Sequence, residues 1–390
     1  MKKARMRKLA TVIALVLTMT MILAACGNGG GGTTNQPNDP AAPAGPPTTV
    51  HTIGFNTWGS GVPILDLFGD ETEYALRVLG MRGNRASDDF TAEKELQNIQ
   101  NFISAGVDGV AYQGAADPVI PQAAEAMMRA EIPFVLLVFV GDDDVRANLA
   151  ANNPYYAGAV NSDLYYDGYT LGQSAVRDGN KTAVLIGGNI GDSNMDLRTA
   201  GFRQSFVVEG GGTVLDEARC TSPAESLQKA SDMLSAHRDV DCLYAMVGDY
   251  VPGPITAMDT LGLTGIKIYS SCVDAVTAQY IKEGRVVEGN DGIGLSAVLA
   301  PAMLINFLDG HPIRDPSGKP AEFRTIPFLV TQDNVDAYVS IFYTPGVNPV
   351  TEEILKSITY RFNPDVTYQD YVKLIESGLT LDVLLKAHGK

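Results

Sequence analysis

From Val50 to about Val330 the chain switches repeatedly between short apolar runs and stretches of helical periodicity, and that alternation limits its fold more than any other feature. The strand candidates are 52–56, 107–112, 133–140, 182–186, 213–218, 242–246, 267–271 and 286–291. Between the first two, Leu96, Ile99 and Ile103 recur at helical spacing, Phe102 widens the stripe and Gly106 supplies a C-terminal stop. A second helix is expected over about 118–130. Strands separated by helices cannot pair as hairpins, so they form parallel sheets with right-handed crossovers and helices on both faces. The predicted class is α/β and doubly wound. Segment 81–87 falls where a second strand belongs, but Arg82, Gly83, Asn84 and Arg85 are weak strand formers, which suits an edge. The repeat is too long for one sheet and predicts two similar lobes. The break between Val140 and Leu164, with Gly141, Asp142 to Asp144, Asn152, Asn153 and Pro154, is the expected hinge region. Ligands of open parallel sheets meet the carboxyl ends of the strands, so two facing sheets enclose a cleft.

Before the repeat lies a segment of another kind. Lys2, Lys3, Arg5, Arg7 and Lys8 precede an apolar run from Leu9 to Ile22, followed by Leu23, Ala24, Ala25 and Cys26. This resembles the bacterial lipobox, which implies removal of residues 1–25 and a diacylglycerol on the Cys26 sulfur. The run approaches the roughly 20 residues of a membrane span, but the small residues before Cys26 and the composition after it favour cleavage. Residues 26–49, rich in glycine and proline with little to bury, are expected to form a disordered tether. The expected location is the outer face of the cell membrane, extracellular or periplasmic.

Removing the five positive charges of the leader takes the formal net charge from −16 to −21. That excess disfavours nucleic acid and anionic phosphate surfaces as partners. Cys220, Cys242 and Cys272 are widely spaced and read as small buried residues. His51, His237, His311 and His388 are scattered, and no metal or cofactor is expected.

Across residues 50–330 the chain resembles the ribose-binding group of type I periplasmic binding proteins. The resemblance is carried by Thr52-Ile53-Gly54-Phe55, Ala105-Gly106-Val107-Asp108-Gly109-Val110, Ala130-Glu131-Ile132-Pro133-Phe134-Val135, Arg198-Thr199-Ala200-Gly201-Phe202, Ala236-His237-Arg238-Asp239-Val240 and Ile281-Lys282-Glu283-Gly284-Arg285-Val286. It implies two lobes joined by a three-segment hinge, with sugar between them. One lobe would hold 50–160 and 293–328, the other 165–290 and 329–345, and 346–390 would form a helical extension along one lobe through Ile354, Leu355, Tyr371 and Leu374.

The same resemblance puts an arginine that could donate two parallel hydrogen bonds to a ligand at Arg198, an amide at Gln113 and a serine at Ser162. It also shows departures. Ile64 and Leu65 stand where many sugar binders have two aromatics, and Val138 and Phe139 where they have Asp-Arg. Val247-Gly248 replaces Asn-Asp with Asp249 one place late, Cys272 replaces an aspartate with Asp274 two places on, and Gly292 replaces a glutamine beside Asn290 and Asp291. Trp58, the only tryptophan, could stack on a sugar ring or fill the core beneath its loop, and Phe139 could stack from the other side. Asn56 either meets ligand or caps the turn.

Gly187-Gly188-Asn189-Ile190-Gly191 lacks the order of a dinucleotide loop and reads as a tight turn, and Asp142-Asp143-Asp144 reads as a solvated turn, not a calcium loop. No nucleophile elbow is present. The expectation is a non-enzymatic, monomeric, lipid-anchored substrate-binding protein that delivers a sugar-like molecule to an ABC permease. A ligand-presenting sensor and a secreted glycosidase with paired carboxylates are the alternatives, and aldose, polyol, nucleoside and autoinducer-2-like ligands all stay open.

Overall fold

The computed structural model describes residues 48–188, 192–220 and 222–390. The expected leader, the expected lipidation residue Cys26, most of the expected tether and Asn189 to Gly191 of the glycine-rich segment lie outside them. Among the described residues twelve strands form two six-stranded sheets: β1 (Thr52–Thr57), β2 (Arg82–Ser87), β3 (Gly109–Tyr112), β4 (Phe134–Leu137), β5 (Tyr156–Ser162), β6 (Thr182–Gly187), β7 (Thr213–Arg219), β8 (Cys242–Ala245), β9 (Lys267–Ser271), β10 (Glu288–Asp291), β11 (Glu322–Thr325) and β12 (Phe328–Thr331). The first sheet has the order β11-β5-β4-β3-β1-β2 and the second β12-β10-β9-β8-β6-β7. All pairings are parallel except β10 with β12.

Local chemistry explains the strand positions. Central β1, β3 and β4 are buried on both faces, and β3 and β4 read as nearly unbroken apolar runs. At the edge, β2 is mostly exposed, and Arg85 there pairs with Asp70 at 2.6 Å. Gly54 is required in β1, since a Cβ would stand 2.6 Å from the Phe102 ring. Phe102 belongs to the helix Ala92–Ala105, which starts at a Thr91 cap and ends at Gly106 in the left-handed region (φ 67°).

Several sequence expectations need correction. The break at 140–164 is not a loop: it holds the helix Asp143–Asn152 and β5. Asp142 caps that helix by accepting from the Val145 amide, and Asp143 and Asp144 sit in its first turn, where carboxylates favour the helix dipole. The first crossing between lobes lies at the end of that stretch, at Ser162 to Leu164, where β5 passes into the helix Leu164–Arg177. The second runs from β10 into the helix Gly294–Leu308, and the third from β11 to β12. The short β11 has no counterpart in the expected strands, and the helical extension ends in a last helix, Leu381–Ala387.

The C-terminal extension reaches both lobes. Ahead of it, helix Val335–Phe342 packs on the second lobe against Ala275–Lys282 and β12. The chain then crosses back, and Tyr74 of the helix Pro63–Val78 donates to Val350 O at 2.9 Å. Leu355 and Tyr371 are buried there as expected, while Ile354 and Leu374 are half-buried. This part covers the helix Gly294–Leu308, which is apolar nearly all round and needs cover on every side. Buried Asn306 fixes the cover by donating to Ile358 O at 3.0 Å and accepting from the Tyr360 amide at 2.7 Å. Arg361 binds Asp309 through both carboxylate oxygens (2.8 and 2.7 Å) and donates to Thr49 O at 3.1 Å, tying the start of the folded body to the extension. Leu381–Ala387 finally returns to Val335–Phe342.

Candidate functional site between the lobes

Residues just past the strand ends of the two lobes meet. Ser193, after β6, donates to Asp117, after β3, at 2.9 Å. Beside this contact lies a cavity of about 390 Å³, lined from the first lobe by Asn161, Ser162 and Arg324 and from the second by Tyr165, Ser193 and Leu197.

On the first lobe three expected residues form one network. The Asn56 amide donates to Asp88 at 2.6 Å and to Gln113 O at 2.8 Å, and its oxygen accepts from the Gln113 amide N–H at 2.9 Å. Asn98 donates to the other Asp88 oxygen at 2.8 Å. Asn56 thus holds two strand ends together, with its donors and acceptor engaged inside the lobe. The Trp58 N–H donates to Gln113 Oε1 at 2.6 Å, which fixes the amide orientation and leaves Gln113 Nε2 buried with no partner among the described residues. Burial pushes the Asp88 carboxyl up to about 6, against the two asparagine hydrogen bonds. Deeper in the lobe, burial pushes Glu95 up to about 8; it accepts from the Tyr112 hydroxyl and from the Ala116 amide, tying down the loop that carries Asp117. Half-buried Trp58 meets Phe90 edge-on, with ring centres 6.4 Å apart. Phe139 stands apart on Phe68 after Val138, whose φ is 61°. Ser162 contacts the crossing segment through Thr325 O at 3.4 Å.

On the second lobe the organising residue is one that sequence reasoning missed, Asp167 of the helix Leu164–Arg177. Arg198 Nε donates to it at 2.7 Å, Ser271 donates to its other oxygen at 2.8 Å, and Asn290 donates to its backbone oxygen at 2.8 Å. A terminal nitrogen of Arg198 contacts Cys272 Sγ at 3.0 Å. Arg198 is 1% exposed, and the Nε side of its guanidinium faces protein, so the free fork expected from the sequence is occupied. Only the acidic position of Asp167 in a helix turn hinted at this; the pairing itself is tertiary.

The remaining carboxylates stand at the ends of neighbouring strands. Half-buried Asp249, in the turn Gly248–Tyr250 after β8, has no hydrogen-bond partner among the described residues. Burial, reinforced by the charge of Asp274, pushes it up to about 6. Asp274, after β9, caps the next helix by accepting from Thr277 N at 2.6 Å. Asp291, ending β10, accepts from Tyr338 at 2.6 Å; its other oxygen is buried and unpartnered, and burial pushes it up to about 7 despite Tyr338 and the Gly292 amide. Asn290 Oδ1 is likewise buried without a partner.

Comparison with known proteins agrees with this architecture. The profile of the periplasmic binding protein domain matches residues 53–290, more than half of the chain. Among curated proteins none matches by sequence. Solved structures with the same fold include a galactofuranose binding protein (17% identity, TM-score 0.66, covering 75% of this chain and 98% of that one). Another is the periplasmic component of the arabinose ABC transporter from Shewanella sp. ANA-3, bound to L-arabinofuranose (19%, TM-score 0.65, 74% and 94%). The Caulobacter myo-inositol binding protein bound to myo-inositol is a third (16%, TM-score 0.63, 75% and 96%). With two parallel-sheet lobes, chain crossings between them and a profile match across both, this chain belongs to the periplasmic binding protein domain family.

Proposed function

We propose that this protein is the lipid-anchored, extracytoplasmic binding component of an ABC importer, holding a sugar-like molecule between its lobes. The observation that carries the reading is the meeting of residues beyond β3 and β6 at Asp117 and Ser193, because a guest held among strand ends is enclosed only if the lobes touch in front of it. Similar structures solved with furanoses and an inositol support a small polyhydroxylated guest. Trp58, Gln113, Phe139 and Ser162 would face it from the first lobe and Asp249, Asp274, Asn290 and Asp291 from the second. Arg198 shapes the second wall through Asp167. Asn56 sets the position of Gln113.

The chain works by binding and not by catalysis, and the ligand shifts the lobes toward the form that docks on the permease. A thermal-shift screen of the purified protein against pentoses, hexoses, furanoses and inositols tests this, since a ligand of the native state alone raises the melting temperature. A dose-dependent rise with one of them is expected; no rise with any would remove the sugar reading. Anchoring is tested by metabolic labelling with a fatty acid, which Cys26→Ala should abolish.

A further inference from the structure

We propose that residues 343–350 form a strap that clamps the two lobes together beside the hinge, and that the contact between Asp117 and Ser193 opens only when this strap gives way. The inference concerns the hinge and goes beyond the binding reading, since it needs no particular guest. Among the described residues the chain here passes between the lobes a fourth time, after the three crossings named above. On the second lobe the strap starts at Tyr343, whose hydroxyl donates at 2.9 Å to Val273 O, between β9 and the next helix. Its root leans on the second and third crossings. The helix before it gives the Tyr338 hydroxyl to Asp291 at the end of β10, and packs Phe342 on Phe328 at the start of β12 with ring centres 5.7 Å apart. On the first lobe the strap is held by two residues three apart on the helix Pro63–Val78, and therefore on one face of it. Asn348 donates to the Glu71 carboxyl, and Tyr74 donates to Val350 O at 2.9 Å.

The local sequence makes this segment a restraint and not a slack loop. Thr344-Pro345-Gly346-Val347 is a turn closed by the Val347 N–H to Thr344 O at 3.0 Å, with proline and a positive-φ glycine (79°) in its two central places, as a type II turn requires. Separating the lobes along the strap must break that turn or part the anchors. Beyond Val350 the chain is fixed to the first lobe through Asn306 and Arg361, so that end cannot follow the second lobe. Beneath the strap lies a cavity of about 440 Å³, lined by Leu67, Glu71 and Tyr74 from the first lobe, Ala275 from the second, and Phe342 and Asn348. The lobes are not packed solid there, and the strap supplies the connection on that flank. Its main anchor is suited to release. Glu71 is 4% exposed, and burial pushes its carboxyl up to about 8, against the Asn348 hydrogen bond. Near neutral pH it is protonated, so parting it from an amide strands no ion.

The test is hydrogen exchange, followed by mass spectrometry, on the ligand-free full-length protein. It is read at residues 114–119 and 193–197, which form the other contact between the lobes. Two variants attack the strap in different ways. Asn348→Ala combined with Tyr74→Phe removes both first-lobe anchors, whereas two glycines inserted between Gly346 and Val347 lengthen the strap and keep them. Each should speed exchange at both segments by roughly threefold or more. Glu71→Gln, which still accepts from Asn348 and mimics the neutral carboxyl, should exchange at the parent rate. Parent rates in both strap variants, with the fold retained by circular dichroism, overturn the proposal. Faster exchange on loss of the anchors that the insertion does not reproduce also overturns it, because the anchors would then act within the first lobe and not across the gap. Glu71→Gln exchanging as fast as the anchor-free variant overturns it too, since the releasing contact would not be the one described. Because no ligand is added, failure here leaves the binding reading standing, and failure of the sugar screen leaves this inference standing.

Discussion

The two walls of the cleft are built on opposite principles. The first-lobe wall is a mesh of neutral amides, Asn56, Asn98 and Gln113, around Asp88, and it presents aromatic rings. The second-lobe wall rests on a buried ion pair, Arg198 with Asp167, and ends in carboxylates. Amide networks cost little to bury once satisfied, whereas buried charges depend on their partners. One half is therefore a rigid platform that tolerates change, and the other an electrostatic device that does not.

The sharpest way to break this contrast is to remove one member of the ion pair. Arg198→Met leaves Asp167 charged and buried and should destabilise the protein by about 3–5 kcal/mol in urea unfolding. A loss below 1 kcal/mol would show that the pair is not what holds the second wall. The matching change on the first wall, Asn56→Ala, leaves one Asp88 oxygen and the Gln113 N–H without their partner but strands no ion pair. It should cost about 1–3 kcal/mol by the same measurement.

A pH ramp compares the walls directly. Glu95 is pushed up to about 8 and Asp88 to about 6 on the first lobe, and Asp291 to about 7 on the second. Unfolded carboxyls titrate near 4. Between those limits the folded protein keeps protons that the unfolded chain has released, so stability falls as pH rises from about 4.5 to 8. The melting temperature should drop across that window. Glu95→Gln should flatten the slope up to about pH 8 and Asp291→Asn only up to about pH 7. The smallest effect concerns Trp58. As the only tryptophan, half-buried at the cleft, it should change its emission when ligand binds. Emission that stays constant at saturation would place its ring under the loop and away from the guest.

The sequence revealed the first of these principles better than the second. Alternating apolar runs reported both parallel sheets because strands buried on two faces must be continuously apolar, and the weak strand formers Arg82 to Arg85 marked the edge correctly. Gln113 and Asn56 drew attention as amides at strand ends, although their mutual hydrogen bonds depend on register. Asp167 left no comparable trace: its partners lie 31 and 104 residues away. Helix Asp143–Asn152 was hidden for another reason. Its stripe is weakly apolar, and three consecutive aspartates suggested a turn, when the first was a cap. The apolar character of Gly294–Leu308 demands cover on every side, but which segment supplies it is set by tertiary contacts that the sequence pattern does not carry.

That extension changes what sets the resting posture of the molecule. Its last helix leans on Val335–Phe342 of the second lobe after running along the first, and Lys390 donates to Ser340 O at 3.1 Å. The tail thus spans the back of the joint like a leaf spring, and a swing that parts the jaws must bend or unseat it. Under the proposed binding role, shortening or stiffening this segment is expected to change the affinity for the guest without altering the residues proposed to hold it.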